Sequence, residues 1–208
     1  MVCPQPQALR YPHRRAGCSE EIPFSRHTYL HNACEYSGSG RYVSGAAVII
    51  AGIDPGKTGA LAISYPDGHH EFFDVPRVIV KDKDVPAWGE WHTKWSNGLE
   101  FACVDLVMIE LVTGGQGGKK QGVQSMFNFG GFLRFAHAIA LGVRPRPRIE
   151  FVTPAVWKAK LGLLNSSKGA SREKCRTIYP GTASSLARVK DDGRAEAALI
   201  AHYGRNFL

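Results

Sequence analysis

Between Val48 and Ala60 an apolar run ending at Ile53 gives way to one carboxylate, Asp54, and then to the turn-forming Pro55-Gly56-Lys57-Thr58-Gly59. The pattern predicts a buried strand that presents Asp54 at its tip, because Pro55 and Gly56 force the chain to reverse there. A turn-forming role would explain Asp54 taken alone. A second acid, Glu110, closes another apolar run, Leu106-Val-Met-Ile-Glu110, and Asp192 and Glu196 open the last helix. Carboxylates at the ends of three separate elements suggest a site for a hard cation, which prefers oxygen ligands.

The partner class follows from charge. The 208 residues carry a formal net charge of +8 and are 44% hydrophobic, enough for one well-buried domain with an appendage. Excess Lys and Arg gain affinity for polyanions by releasing counterions from phosphates, so nucleic acid is the expected partner. A membrane is not expected, since no apolar run approaches the ~20 residues of a span. Five Cys in a chain of this length do not form a disulfide framework, which points to a reducing compartment.

Residues 1–45 carry Pro, Ser, Gly, His and Arg without helix or strand periodicity and are expected to be a poorly ordered extension. Cys18, His27, His31 and Cys34 fall there at spacings that match no compact zinc finger. The extension reads as a transit peptide, against which Glu20 and Glu21 count, or as a non-native addition. Residues 46–208 form the expected folded domain.

Within that domain three strands come first, ending at Ile53, spanning Gly59 to Tyr65, and spanning Glu71 to Val75, with a hairpin turn at Pro66-Asp67-Gly68. Trp88, Trp91, Trp95 and Leu99 recur at helical spacing, as one core-facing stripe rather than a base-stacking platform. A fourth strand ends at Glu110, and Gln121 to Leu141 is helical with Gly142 as its stop. A fifth strand ends at Val152, a short helix covers Ala155 to Leu161, and two more helices lie near Arg172 to Ile178 and Gly193 to Tyr203. Arg144, Arg146 and Arg148 alternate with prolines as an extended linker.

This order of elements, with acids ending strand one, strand four and opening the last helix, resembles the ribonuclease H-like nucleases, and specifically the RuvC-like Holliday junction resolvases. The residues carrying the resemblance are Gly52-Ile-Asp54-Pro-Gly-x-x-Gly-Ala60, Ile109-Glu110, Gln121-x-x-x-Ser125-x-x-x-x-Gly130, Thr153-Pro154-x-x-Trp157-Lys158 and Asp192-Gly-Arg-Ala-Glu196-Ala. The last two patterns look closest to phage and plant-chloroplast resolvases. Where bacterial members usually place two acids three apart on the final helix, this chain spaces them by four, with Asp191 beside Asp192. Asp191 is therefore an alternative fourth ligand.

The resemblance implies an α/β fold with a mixed five-stranded sheet flanked by helices. It also implies cleavage of four-way junction DNA by symmetric paired nicks that leave 5′-phosphate and 3′-hydroxyl ends. Two Mg²⁺ ions about 4 Å apart, for which Mn²⁺ can substitute, would be held by Asp54, Glu110, Asp192 and Glu196. It further implies a homodimer matched to the two equivalent strands of a junction, with the long aromatic helix near the interface. The setting would be a bacterial cytoplasm or phage-infected cell, or a chloroplast or mitochondrion if residues 1–45 are a transit peptide.

Lys57, Lys158, Lys168, Arg172, Lys190 and Arg194 are expected on backbone phosphates, which position DNA without reading it. Lys119 and Lys120, in the loop Thr113-Gly-Gly-Gln-Gly-Gly-Lys-Lys120, occupy the place where some bacterial members set an aromatic wedge. Two other functions compete. A non-catalytic junction or nucleic-acid binding module would keep the fold and the charge. An actin- or sugar-kinase-like ATP-binding protein would use Asp54 to Gly59 as a phosphate loop, but needs a duplicated domain for which the chain is too short.

Overall fold

The computed structural model describes residues 48–111, 122–167 and 169–207. The extension with Cys18, His27, His31 and Cys34, the loop with Lys119 and Lys120, and Lys168 lie outside the described residues.

The centre is a five-stranded mixed sheet. Strands β1 (Ile50–Asp54), β2 (Ala60–Ser64) and β3 (His70–Asp74) form an antiparallel meander, and β6 (Leu106–Glu110) and β7 (Arg148–Val152) add in parallel on the other side of β1, giving the order β3-β2-β1-β6-β7. Every residue of β2 and β6 is buried, and of β1 only Asp54, at its tip, is partly exposed. That accounts for the continuous apolar runs, because a strand covered on both faces has no polar side to present.

Helices cover both faces. On one side α1 (Trp88–Phe101) and α2 (Val123–Gly142) enclose Ile53, Leu61, Trp91, Trp95, Leu99 and Ile139. On the other, α3 (Pro154–Lys160), α4 (Ala170–Ile178) and α5 (Asp192–Phe207) enclose Met108, Trp157, Leu186 and Leu199. Each fully buried Leu or Ile contributes roughly 2 kcal/mol through the area it removes from water. Among the described residues no helix is long and apolar enough to cross a membrane.

Three sequence expectations need correction. A two-stranded ribbon, β4 (Arg77–Val80) paired with β5 (Lys83–Pro86), stands between β3 and α1. Its turn holds Lys81 and Asp82 at φ of 47° and 59°, a conformation for which Asn or Gly is the usual signal, so the sequence carries no hairpin mark. Arg148 is not in a linker but opens β7, where its guanidinium pairs with Glu150. Trp88 departs from the buried stripe of Trp91, Trp95 and Leu99, remaining 42% exposed.

Candidate active site

Parallel register sets Ile53 beside Ile109, so the next residues, Asp54 and Glu110, leave the sheet side by side at the ends of β1 and β6. Glu196, on the second turn of α5, comes to them because α5 lies unusually close to β1. Gly52 makes that approach: a β-carbon there would collide with the backbone of Ala197 and Ala201. Gly193 does the same one turn earlier against the Thr58 carbonyl, seating the start of α5 on the loop that follows Asp54. The fully buried Ala195, Ala197, Ala198 and Ala201 complete a helix face small enough to lie on the sheet.

The acids repel one another in a dry setting. Burial, followed by the charges of Glu110 and Glu196, pushes Asp54 from 3.8 to about 7, although its Oδ1 accepts the Gly56 amide at 2.9 Å and Lys158 pulls the other way. Glu110 is 5% exposed and is likewise raised, first by burial and also by Glu196, while an indole hydrogen bond from Trp157 Nε1 to Oε1 at 2.9 Å offsets part of this. Glu196 Oε1 accepts from Lys158 Nζ at 2.9 Å and from Ser171 Oγ at 3.1 Å.

As the side chains stand, no three His, Cys, Asp or Glu residues among those described form a ready-made metal cage. The donor chemistry nonetheless fits a hard dication. Three carboxylates share one end of the sheet, and the repulsion and desolvation that drive Asp54 to about 7 are what a cation among them would relieve. Each of Glu110 and Glu196 has a second oxygen besides the one engaged by protein donors.

The two neighbouring aspartates occupy different surroundings. Asp191 is 2% exposed and ends a short 3₁₀ turn, Val189–Asp191, that leads into α5. Burial pushes its carboxyl up, but hydrogen bonds from the Arg188 guanidinium and the Arg188 amide, with the charges of Arg188 and Arg194, outweigh this and hold it below the usual carboxylate range. Asp192 is more open and accepts from Arg172 Nε at 2.6 Å.

The expected phosphate-binding residues separate in the same way. Lys158 sits on Glu196, among the three clustered acids, and Arg172 on Asp192, which does not join that cluster. Lys57 and Lys190 are exposed, with Lys57 3.8 Å from Asp84. Arg194 is instead a brace between elements, its guanidinium making two bonds to Asp74 on β3, at 2.6 and 2.7 Å. Sequence reasoning gave no role to Trp157 or Ser171. The fixed spacing of Thr153-Pro154 and Trp157-Lys158 was the available signal for Trp157, since Pro154 starts α3 and turns that indole toward Glu110.

Sheet order and strand directions are those of the ribonuclease H-like α/β fold. No family model and no curated protein sequence matches the chain. Among solved structures it is similar to Thermus thermophilus RuvC in complex with Holliday junction substrate, at 19% identity and a TM-score of 0.47 over 76% of this chain and 95% of that one. Another Thermus thermophilus RuvC structure gives 18% and 0.43 over 76% and 96%. The Fowlpox virus resolvase in complex with Holliday junction DNA gives 14% and 0.37 over 77% and 99%.

Proposed function

We propose that the chain is a divalent-metal-dependent endodeoxyribonuclease that resolves four-way junctions by paired nicks, giving 5′-phosphate and 3′-hydroxyl ends. The observation that carries this is the pair Asp54 and Glu110 at the tips of adjacent parallel strands with Glu196 of α5 brought against them, a crowding that helps drive Asp54 to about 7. Asp54, Glu110 and Glu196 would hold Mg²⁺ or Mn²⁺, with Asp192 rather than the Arg188-bound Asp191 as the fourth acid. Bound ions would supply the positive charge that activates water and steadies the leaving oxygen. Lys158 and Arg172, which now neutralise Glu196 and Asp192, are positioned to exchange those carboxylates for DNA phosphates.

The active form in this reading is a homodimer. Met126 and Phe127 near the start of α2 are 47% and 78% exposed, neighbouring apolar side chains suited to a twofold contact. A non-catalytic junction-binding module is the second reading, favoured by Lys158 and Arg172 occupying the carboxylates. Cleavage of a labelled four-way junction, beside plain duplex and an RNA–DNA hybrid, separates them. Symmetric junction nicks that vanish with EDTA and with Asp54→Asn support the nuclease; tight binding without nicks in Mg²⁺ or Mn²⁺ supports the module.

A further inference from the structure

Beside the loop after Asp54 lies a groove of about 400 Å³ between the foot of the β4–β5 ribbon, the start of α1 and the first turns of α2. Its apolar lining includes Trp88, Phe129 and Phe132. Trp88 is packed by Trp91, with centroids 5.5 Å apart and planes 20° from parallel, by the edge of Phe135 at 4.9 Å and by the tilted ring of Phe132 at 5.7 Å, yet it is 42% exposed. An indole held by three aromatic neighbours and still partly exposed is a stacking platform already held in one orientation.

The rim is polar on both sides. Lys57 and Arg77, with Asp84 between them, stand on the side of the loop after Asp54, and Ser125 and Asn128, exposed on α2, stand opposite. Arg77 fastens the ribbon to that loop, donating to the Lys57 carbonyl at 3.1 Å and to Asp84 through Nε at 2.9 Å and Nη2 at 2.7 Å. The groove therefore keeps a fixed place relative to Asp54, three residues before Lys57.

We propose that this groove is a nucleobase subsite: a base unstacked at the branch of the bound DNA inserts against the exposed part of Trp88, beside Phe129 and Phe132, with Ser125 and Asn128 facing its edge and Lys57 facing the adjoining phosphate. The proposal rests on the junction-nuclease reading for its substrate. Its chemistry is that of single-strand recognition, in which aromatic faces accept unpaired bases and cations follow the backbone. The volume is within the range of small-molecule pockets, and the mix of aromatic floor and polar rim suits a flat heterocycle with a charged neighbour.

The test uses the full-length chain in EDTA, so that binding is read without cutting. Dissociation constants are measured for four-way junctions in which one nucleotide at a time, over the positions nearest the branch, is replaced by an abasic residue. One position should weaken wild-type binding by about tenfold, the scale of a lost base–aromatic stack. Trp88→Leu should bind the intact junction that much more weakly and no longer distinguish the abasic one. Asn128→Trp, on an exposed helix face, should block the groove with the same loss of discrimination if Trp88→Leu fails to fold by circular dichroism. Equal affinity for all abasic junctions, or discrimination that survives both variants, overturns the subsite. The same proteins are then assayed for cutting in Mg²⁺. Base discrimination without cutting leaves the subsite standing and removes the nuclease reading, cutting without discrimination does the reverse, and failure to bind any junction overturns both.

Discussion

Trp157 donates its indole hydrogen to Glu110 across 47 positions of sequence, at 2.9 Å in a buried setting. The bond ties α3 to the end of β6 and gives a buried carboxylate a donor that carries no charge. Such a donor fixes the carboxylate without competing with a cation for its charge, unlike the Lys158 ammonium on Glu196.

Trp157→Phe keeps most of the packing but removes that donor. Stability in EDTA should fall by about 1–3 kcal/mol, the cost of leaving a buried acceptor unsatisfied, measured by urea unfolding. Because the bond lowers Glu110, its loss should also move the rising limb of the pH–rate profile to higher pH. An unchanged profile with reduced stability would leave Trp157 a packing residue only.

Asp54 makes the metal-free chain less stable as pH rises. Its folded pKa of about 7 lies above the ordinary 3.8, so the folded state holds the proton more tightly and the favourable contribution, complete below about pH 4, is lost by about pH 7. The difference corresponds to about 4 kcal/mol. Asp54→Asn should flatten this dependence, and Mg²⁺ should restore wild-type stability at pH 8, both read from unfolding curves.

His70 acts with the opposite slope. Burial, first among its causes, holds it near 4 rather than 6.5, with Nδ1 bonded to the Gly68 carbonyl and Nε2 buried with no partner among the described residues. The folded state excludes the proton, so stability present above about pH 6.5 is lost as pH falls toward 4, by about 3 kcal/mol. His70→Phe should remove that loss without altering junction cleavage. An unaltered acid limb in the unfolding data would refute it.

Asp191 and Asp192 should separate by phenotype. Asp191→Asn gives up a charged partner of Arg188 at the entry to α5 and should cost about 1.5–3 kcal/mol of stability. Asp192→Asn should leave the unfolding curve nearly unmoved and lower the cleavage rate at least tenfold. The reverse pattern would make Asp191 the fourth acid.

Gly52→Ala should be among the most disruptive single-methyl changes in the chain, since the added carbon meets the backbone of α5 rather than a side chain able to turn away. A loss of about 1–3 kcal/mol or more is expected, with cleavage falling further than stability because Glu196 retreats from Asp54. Retained wild-type activity would show that α5 need not lie so close.

Much of this protein was legible in its sequence because local chemistry and tertiary role coincide. The apolar runs ending at Asp54 and Glu110 determined buried strands with acids at their tips, since such runs are satisfied only inside a covered sheet. Trp91, Trp95 and Leu99 marked the inner face of α1 by period alone. Only the tertiary structure decided which cation meets which acid. Lys158 on Glu196, Arg172 on Asp192 and Arg194 on Asp74 join residues 20 to 120 positions apart. It also decided that Asp191 turns inward to Arg188 while Asp192 remains more open, and that Trp88 stays partly exposed. Side-chain period reports which face of an element is apolar, but the partner of a charge depends on how distant elements cross, and no local pattern encodes that crossing.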